Sequence, residues 1–209
     1  KVRILESNPD FEKVRICEKF DYLHDSWQSD SVQWVCDLQV KLDTLMPETI
    51  KKSFGLFWKR ANQLGANSFR VDNSDVYVLG NNKFITVKCY WLRQEYRDKN
   101  LDKFNSTNIY LFGFLAHHVK IPGYHVEFNG EDYLIQELTY HLFECSEGEE
   151  VEIRIGGRSR GDVVKLEVEL DMHPRYFYFS MTSGGFQNSW ISYYEEAFAE
   201  FLLQILDRA

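Results

Sequence analysis

Residues 32–42 constrain the fold more than any other stretch of the chain. Apolar side chains stand at Val32, Trp34, Cys36, Leu38, Val40 and Leu42, with Gln33, Asp37, Gln39 and Lys41 between most of them. A period of two belongs to a strand with one face on a core and the other in water. The period then changes. Pro47 suits the first helical position, Glu48 complements the helix dipole, and Ile50, Phe54, Phe57, Ala61 and Leu64 recur at intervals of four and three. This spacing predicts one amphipathic helix over 47–64. Lys59 and Arg60 suit its last turns, and Gly65 closes it in the left-handed conformation before a strand at 69–71. A helix apolar on one side, between two strands, requires a sheet to cover.

Further strands are expected at 76–79 and 84–92, joined across Gly80, Asn81 and Asn82, and at 2–5 and 14–20, separated by Asn8, Pro9 and Asp10. The polar run 97–108 reads as a domain boundary. Charge changes sign there: residues 1–105 hold 17 Lys/Arg against 15 Asp/Glu, and residues 106–209 hold 7 against 17. A second half at −10 repels a phosphate backbone, so nucleic acid is not expected as a partner. Anionic membrane surfaces are disfavoured for the same reason.

Beyond the boundary the pattern is β. Strands at 124–128 and 133–138 flank Asn129 and Gly130, which tolerate the positive φ of a type I′ turn. Val151, Ile153 and Ile155 alternate toward the turn 156–161, and Val164, Leu166, Val168 and Leu170 alternate away from it. Another strand is expected at 176–181. At the end Ser192 and Glu195 have capping-box spacing, and Ile191, Tyr194, Phe198, Phe201, Leu202 and Ile205 form a helical stripe. The sequence therefore predicts an α+β chain. Residues 1–100 form a βαβ-type domain with one amphipathic helix on a sheet, and 106–209 form a β-sandwich or open barrel closed by a C-terminal helix. With 44% hydrophobic and 27% charged residues the composition is globular, and no apolar run reaches the roughly 18 residues that cross a bilayer. The chain is expected to be soluble, and Lys1 at its start is expected to mark a trimmed mature form.

Residues 58–71, and especially Ala61, Leu64, Gly65, Ala66, Asn67, Phe69 and Val71, resemble the helix-to-strand junction of small bacterial envelope βαβ domains, the Rcs stress-sensor lipoprotein among them. The resemblance covers under half of the chain. It implies an exported protein, periplasmic or on the outer surface and lipid-anchored; a cytoplasmic location stays open beside it. The sensor's disulfide arrangement and signalling role are not carried over, because only Cys36 and Cys89 fall on clear strands.

No assembled catalytic motif is visible, so no catalytic residue, metal or cofactor is assigned. Cys17, Cys36, Cys89 and Cys145 lack C-x-x-C spacing, and both buried thiols and one or two disulfides remain open. His117, His118 and His125 are the densest histidine group, with His141, Glu127 and Cys145 as further metal-ligand candidates, but the spacing matches no compact zinc motif. Ser159, Ser183, Gly184 and Gly185 lack the nucleophile-elbow pattern. Glu147, Glu149 and Glu150 crowd a turn. In the loop 156–161, Arg158 and Arg160 are two cations in an acidic half, suited to a small anion or an acidic partner. With 12 Tyr, 16 Phe and 5 Trp, some aromatics must reach the surface; Tyr176, Tyr178 and Trp190, together with Tyr193 and Tyr194, are the candidate stacking surface for a glycan or protein. The expected function is non-enzymatic binding in the envelope. The competing class is a hydrolase of envelope or carbohydrate substrates, pairing a carboxylate with one of the histidines.

Overall fold

The computed structural model describes residues 1–12, 20–23, 31–71, 76–79, 82–93, 95–96, 106–113, 124–136, 138–155, 162–170, 175–181 and 189–207. The described residues form an α+β structure with three sheets. The chain divides into two compact units, one of residues 1–104 and 196–209, the other of 105–195.

The first unit is built on a long antiparallel pair, β3 (Val32–Leu42) and β6 (Asn82–Leu92), the first of which is the alternating segment that opens the sequence reading. Around it lie β1 (Val2–Ser7), β2 (Asp21–Tyr22), β4 (Ser68–Arg70) and β5 (Val76–Leu79). The strand order is β1-β3-β6-β4-β2, with β5 also on β6. Since β6 runs antiparallel to both β3 and β4, those two are parallel and separated by one strand, the split form of a βαβ crossover. Helix α1 (Pro47–Gln63) makes that crossover, beginning after an extended Met46. It buries Ile50, Phe54, Phe57 and Ala61 and packs along β3, where Leu38 and Val40 are buried; Phe54 and Phe57 also meet the Phe69 ring of β4 at 6.0 and 5.3 Å. Its end is a Schellman turn, with Gly65 at φ 97°, Ala66 N–H donating to Ala61 O and Gly65 N–H to Asn62 O.

Asn67 then supplies what no backbone group can reach. Its Nδ2 donates to Leu92 O at 2.7 Å and its Oδ1 accepts from Leu92 N–H at 2.7 Å, so a side-chain amide completes the ladder at the end of β6. Asn8 does similar work beside the bulge between Trp34 and Cys36, where its amide nitrogens reach Trp34 O and Val35 O.

A second helix, α2 (Glu196–Leu206), corrects the sequence-based arrangement. It belongs to the first unit, where it packs on α1 and β2, and does not close the β-rich module. The Phe201 ring stacks parallel to Phe57 at 5.9 Å and meets Phe54 at 5.2 Å, while Phe198 meets Phe54 edge-on at 5.4 Å. Buried Lys83 reaches from β6 to donate to Ile205 O at 2.6 Å, placing a cation at the helix C-terminus, where the dipole favours it. Among the described residues, α1 and α2 thus both belong to the first unit. Ser192 does not cap α2, because 189–193 is a strand and the helix begins at Glu196.

The second unit is a sandwich of two four-stranded sheets. One has the order β10-β7-β13-β14, from β7 (Ile109–Phe112), β10 (Tyr140–Phe143), β13 (Tyr176–Met181) and β14 (Ser189–Tyr193). The other has the order β12-β11-β8-β9, from β8 (Tyr124–Phe128), β9 (Glu131–Ile135), β11 (Glu150–Ile155) and β12 (Asp162–Glu167). Ile109, Leu111, Phe177 and Phe179 of the first sheet share one core with Val126, Phe128, Val151, Ile153 and Ile155 of the second. The β8–β9 hairpin turns through Asn129 at φ 51° and Gly130 at φ 83°, the positive pair that a type I′ turn requires.

Candidate functional site

Alternation along β7 and β13 sets two classes of side chain apart. Ile109, Leu111, Phe177 and Phe179 enter the sandwich core, so Tyr110, Phe112, Tyr176 and Tyr178 stand on the opposite face of the sheet. Register adds Tyr140 from β10, opposite Phe112, and Trp190 from β14, opposite Ser180. Tyr194, just past β14, is held there by its N–H bond to Tyr176 O at 2.8 Å.

The rings form a continuous row. Tyr140 lies 6.0 Å from Tyr110 and 5.8 Å from Phe112; Tyr110 stacks on Tyr176 at 5.2 Å. Tyr194 meets Phe112 edge-on at 5.6 Å and stacks on Tyr178 at 4.3 Å, with an interplanar angle of 14°. Burial, and secondarily Tyr178 beside it, pushes the Tyr194 hydroxyl far above the ordinary phenol range, so it is a neutral ring and hydrogen-bonding group near pH 7, not an acid or base.

Exposure separates the sequence candidates. Trp190 is 41% exposed and Tyr193 58%, Tyr178 is half-buried, and Tyr176 is only 1% exposed. Tyr176 is therefore a packing residue beneath the row and not a contact for an outside molecule. Tyr193 stands opposite core-facing Phe177, on the other face of the sheet, so Trp190 and Tyr178 remain as the accessible pair on the row's face, diagonal to each other across β13 and β14. Arg158 and Arg160 lie outside the described residues, as do Cys17, His117, His118, Ser159 and the Ser183–Gly185 turn. Tyr110, Phe112 and Tyr140 were missed by the sequence reading, although 109–112 already alternates aliphatic and aromatic residues.

The two described histidines, His125 and His141, make separate contacts. His125 pairs with Asp132 at 3.1 Å on the exposed face of the second sheet, and His141 packs against the rings of Tyr133 and Phe143 on the first. Among the described residues no group of three or more His, Cys, Asp or Glu side chains is placed to hold a metal ion. Cys145, beside Glu149, has its thiol pushed up to about 11, chiefly by burial, which suppresses the nucleophilic thiolate. Glu149 is tied into the turn, accepting from Ser146 N–H at 2.9 Å and from Asn129 Nδ2 at 3.2 Å. Glu152 lies between Arg154 and Lys165 on the outer face of β11. No helix among the described residues is long and apolar enough to cross a membrane.

No family model, characterised protein or solved structure matches the chain.

Proposed function

We propose that this chain is a non-enzymatic binding protein of the bacterial cell envelope, and that the Trp190 end of its aromatic row receives an uncharged stretch of glycan. The observation that carries this reading is Trp190 itself, 41% exposed on β14 and diagonal in register to Tyr178, whose ring stacks on Tyr194. A flat aromatic face gives large contact area at small entropic cost and matches the apolar face of a pyranose ring. The Tyr178 and Ser192 hydroxyls, opposed in register, are hydrogen-bonding groups for sugar hydroxyls next to it. The acidic balance of residues 106–209 favours a neutral ligand over an anionic one. The envelope location is supported by the resemblance of residues 58–71 to envelope βαβ domains, and fractionation of the source cells tests it separately.

Calorimetric titration with chitohexaose tests the binding reading. Saturable binding that weakens at least tenfold in Trp190→Ala and only a few-fold in Trp190→Phe is expected. Equal affinity of the wild type and Trp190→Ala, or no heat with neutral oligosaccharides, overturns it; binding to a peptide library in place of chitohexaose would transfer the face to a protein partner.

A further inference from the structure

We propose that Cys36 and Cys89 are a disulfide-forming modification site, closed during folding by a small-molecule disulfide, that staples the two longest strands of the first sheet together. The inference rests on register and burial in the first unit and is independent of the glycan reading. Cys36 on β3 and Cys89 on β6 are direct partners in the antiparallel ladder, immediately after the bulge at Trp34. Both are fully buried on the same inner face, beside Leu38 and Val87, which are also partners. Directly opposed residues on antiparallel strands lie about 4.5–5.5 Å apart at Cα. That range falls inside the roughly 4.4–6.8 Å over which a disulfide closes without backbone movement. Cys89 Sγ donates to Val87 O at 3.8 Å, and Cys36 lies close enough to it to raise the Cys89 thiol further. Cys145, by contrast, is in the other unit.

The chemistry balances as thiol–disulfide exchange. One Cys thiolate attacks the small disulfide RSSR and releases RS⁻; the second thiolate attacks the mixed disulfide and releases another RS⁻. The protein sulfurs lose two electrons and two protons, and RSSR becomes two RSH. Timing follows from burial. Desolvation, and then Cys36 beside it, holds the Cys89 thiol well above its ordinary range, so its thiolate is scarce once the sheet has formed, and the full burial of both sulfurs then keeps a small disulfide out. Closure therefore belongs to the folding chain, when the strands pair but the core is still open.

The test refolds the full chain from reduced, denatured protein in a mixture of reduced and oxidised glutathione, blocks remaining thiols under denaturing conditions, and maps the peptides by mass spectrometry. The expected product is one peptide pair joined through Cys36 and Cys89. A phosphine reductant added to that product should lower its thermal midpoint on the order of 10 °C, since the closed loop spans 53 positions. Recovery of Cys36 and Cys89 as blocked free thiols, or of either joined to Cys17 or Cys145, overturns the proposal. A Cys17→Ser/Cys145→Ser variant refolded the same way gives a second readout. It should be monomeric with no titratable thiol, and two thiols per chain would contradict the pairing. If that variant does not fold, the map of the unaltered chain decides.

Discussion

Replacing Phe201 by alanine tests where the C-terminal helix belongs. Phe201 is fully buried, and its ring meets Phe54 at 5.2 Å, Phe57 at 5.9 Å and Phe69 at 6.3 Å. Truncating a buried phenylalanine costs about 3–5 kcal/mol through lost transfer energy and the cavity left behind. The ring pairs add to area burial, but three pairs sharing one ring do not sum independently, so about 4 kcal/mol is the working figure. Against a domain stability of roughly 5–15 kcal/mol this is a large loss, and it moves a urea midpoint by about 2 M if the slope is about 2 kcal/mol/M. Hydrogen exchange read by mass spectrometry, at urea concentrations below the midpoint, supplies the location. Amides of α1, β3 and β6 should lose protection, while those of β8, β9 and β11 in the other unit keep theirs. Loss of protection in 124–155 with none in 32–92 would refute the assignment of α2 to the first unit.

The remaining predictions follow the same logic. Asn67→Ala leaves the buried Leu92 N–H and C=O without their side-chain partner and should destabilise the first unit by about 2–4 kcal/mol, read by urea unfolding. Lys83→Met removes the cation at the α2 C-terminus and should cost about 1–2 kcal/mol in the same assay, with little change in helix content by circular dichroism. Gly113→Ala should unfold the second unit selectively, because a Cβ there would sit 2.1 Å from the Gln136 backbone oxygen; unchanged exchange in 124–155 would contradict it. The Glu152 carboxyl is held below its usual 4.5 by Lys165 and then Arg154. A depressed acid adds stability above its unfolded value and loses it as pH falls through the folded one, so this contribution should fade only below about pH 4.5. A carboxyl NMR titration of Glu152 with a midpoint at or above 4.5 would contradict this.

Local patterns in the sequence were enough where one face of one element decided the outcome. The alternation from Val32 to Leu42, the α1 stripe, the Gly65 terminus and the Asn129–Gly130 turn all depend on neighbours a few residues away, and each stands in the structure as read. Tertiary choices were not legible. The stripe of Phe198, Phe201, Leu202 and Ile205 fits any apolar surface, and only the complementary rings of Phe54 and Phe57, some 140 positions earlier, select the first unit. Short strands were also missed at 109–112, 140–143 and 189–193, because four or five residues give too few periods to stand out from a loop. Together with β13, which was expected, those three strands carry the aromatic row. Composition showed that aromatics must reach the surface, but the division of labour between buried Tyr176 and exposed Trp190 depends on strand pairing alone.

Fluorine NMR of protein labelled with fluorotryptophan tests the binding face most directly, with the Trp190 resonance assigned by its loss in Trp190→Phe. On titration with chitohexaose the Trp190 signal should shift and saturate while the signals of the other four tryptophans, all within residues 1–104, hold still. A stationary Trp190 signal at saturating sugar, or equal movement of all five, would contradict the account.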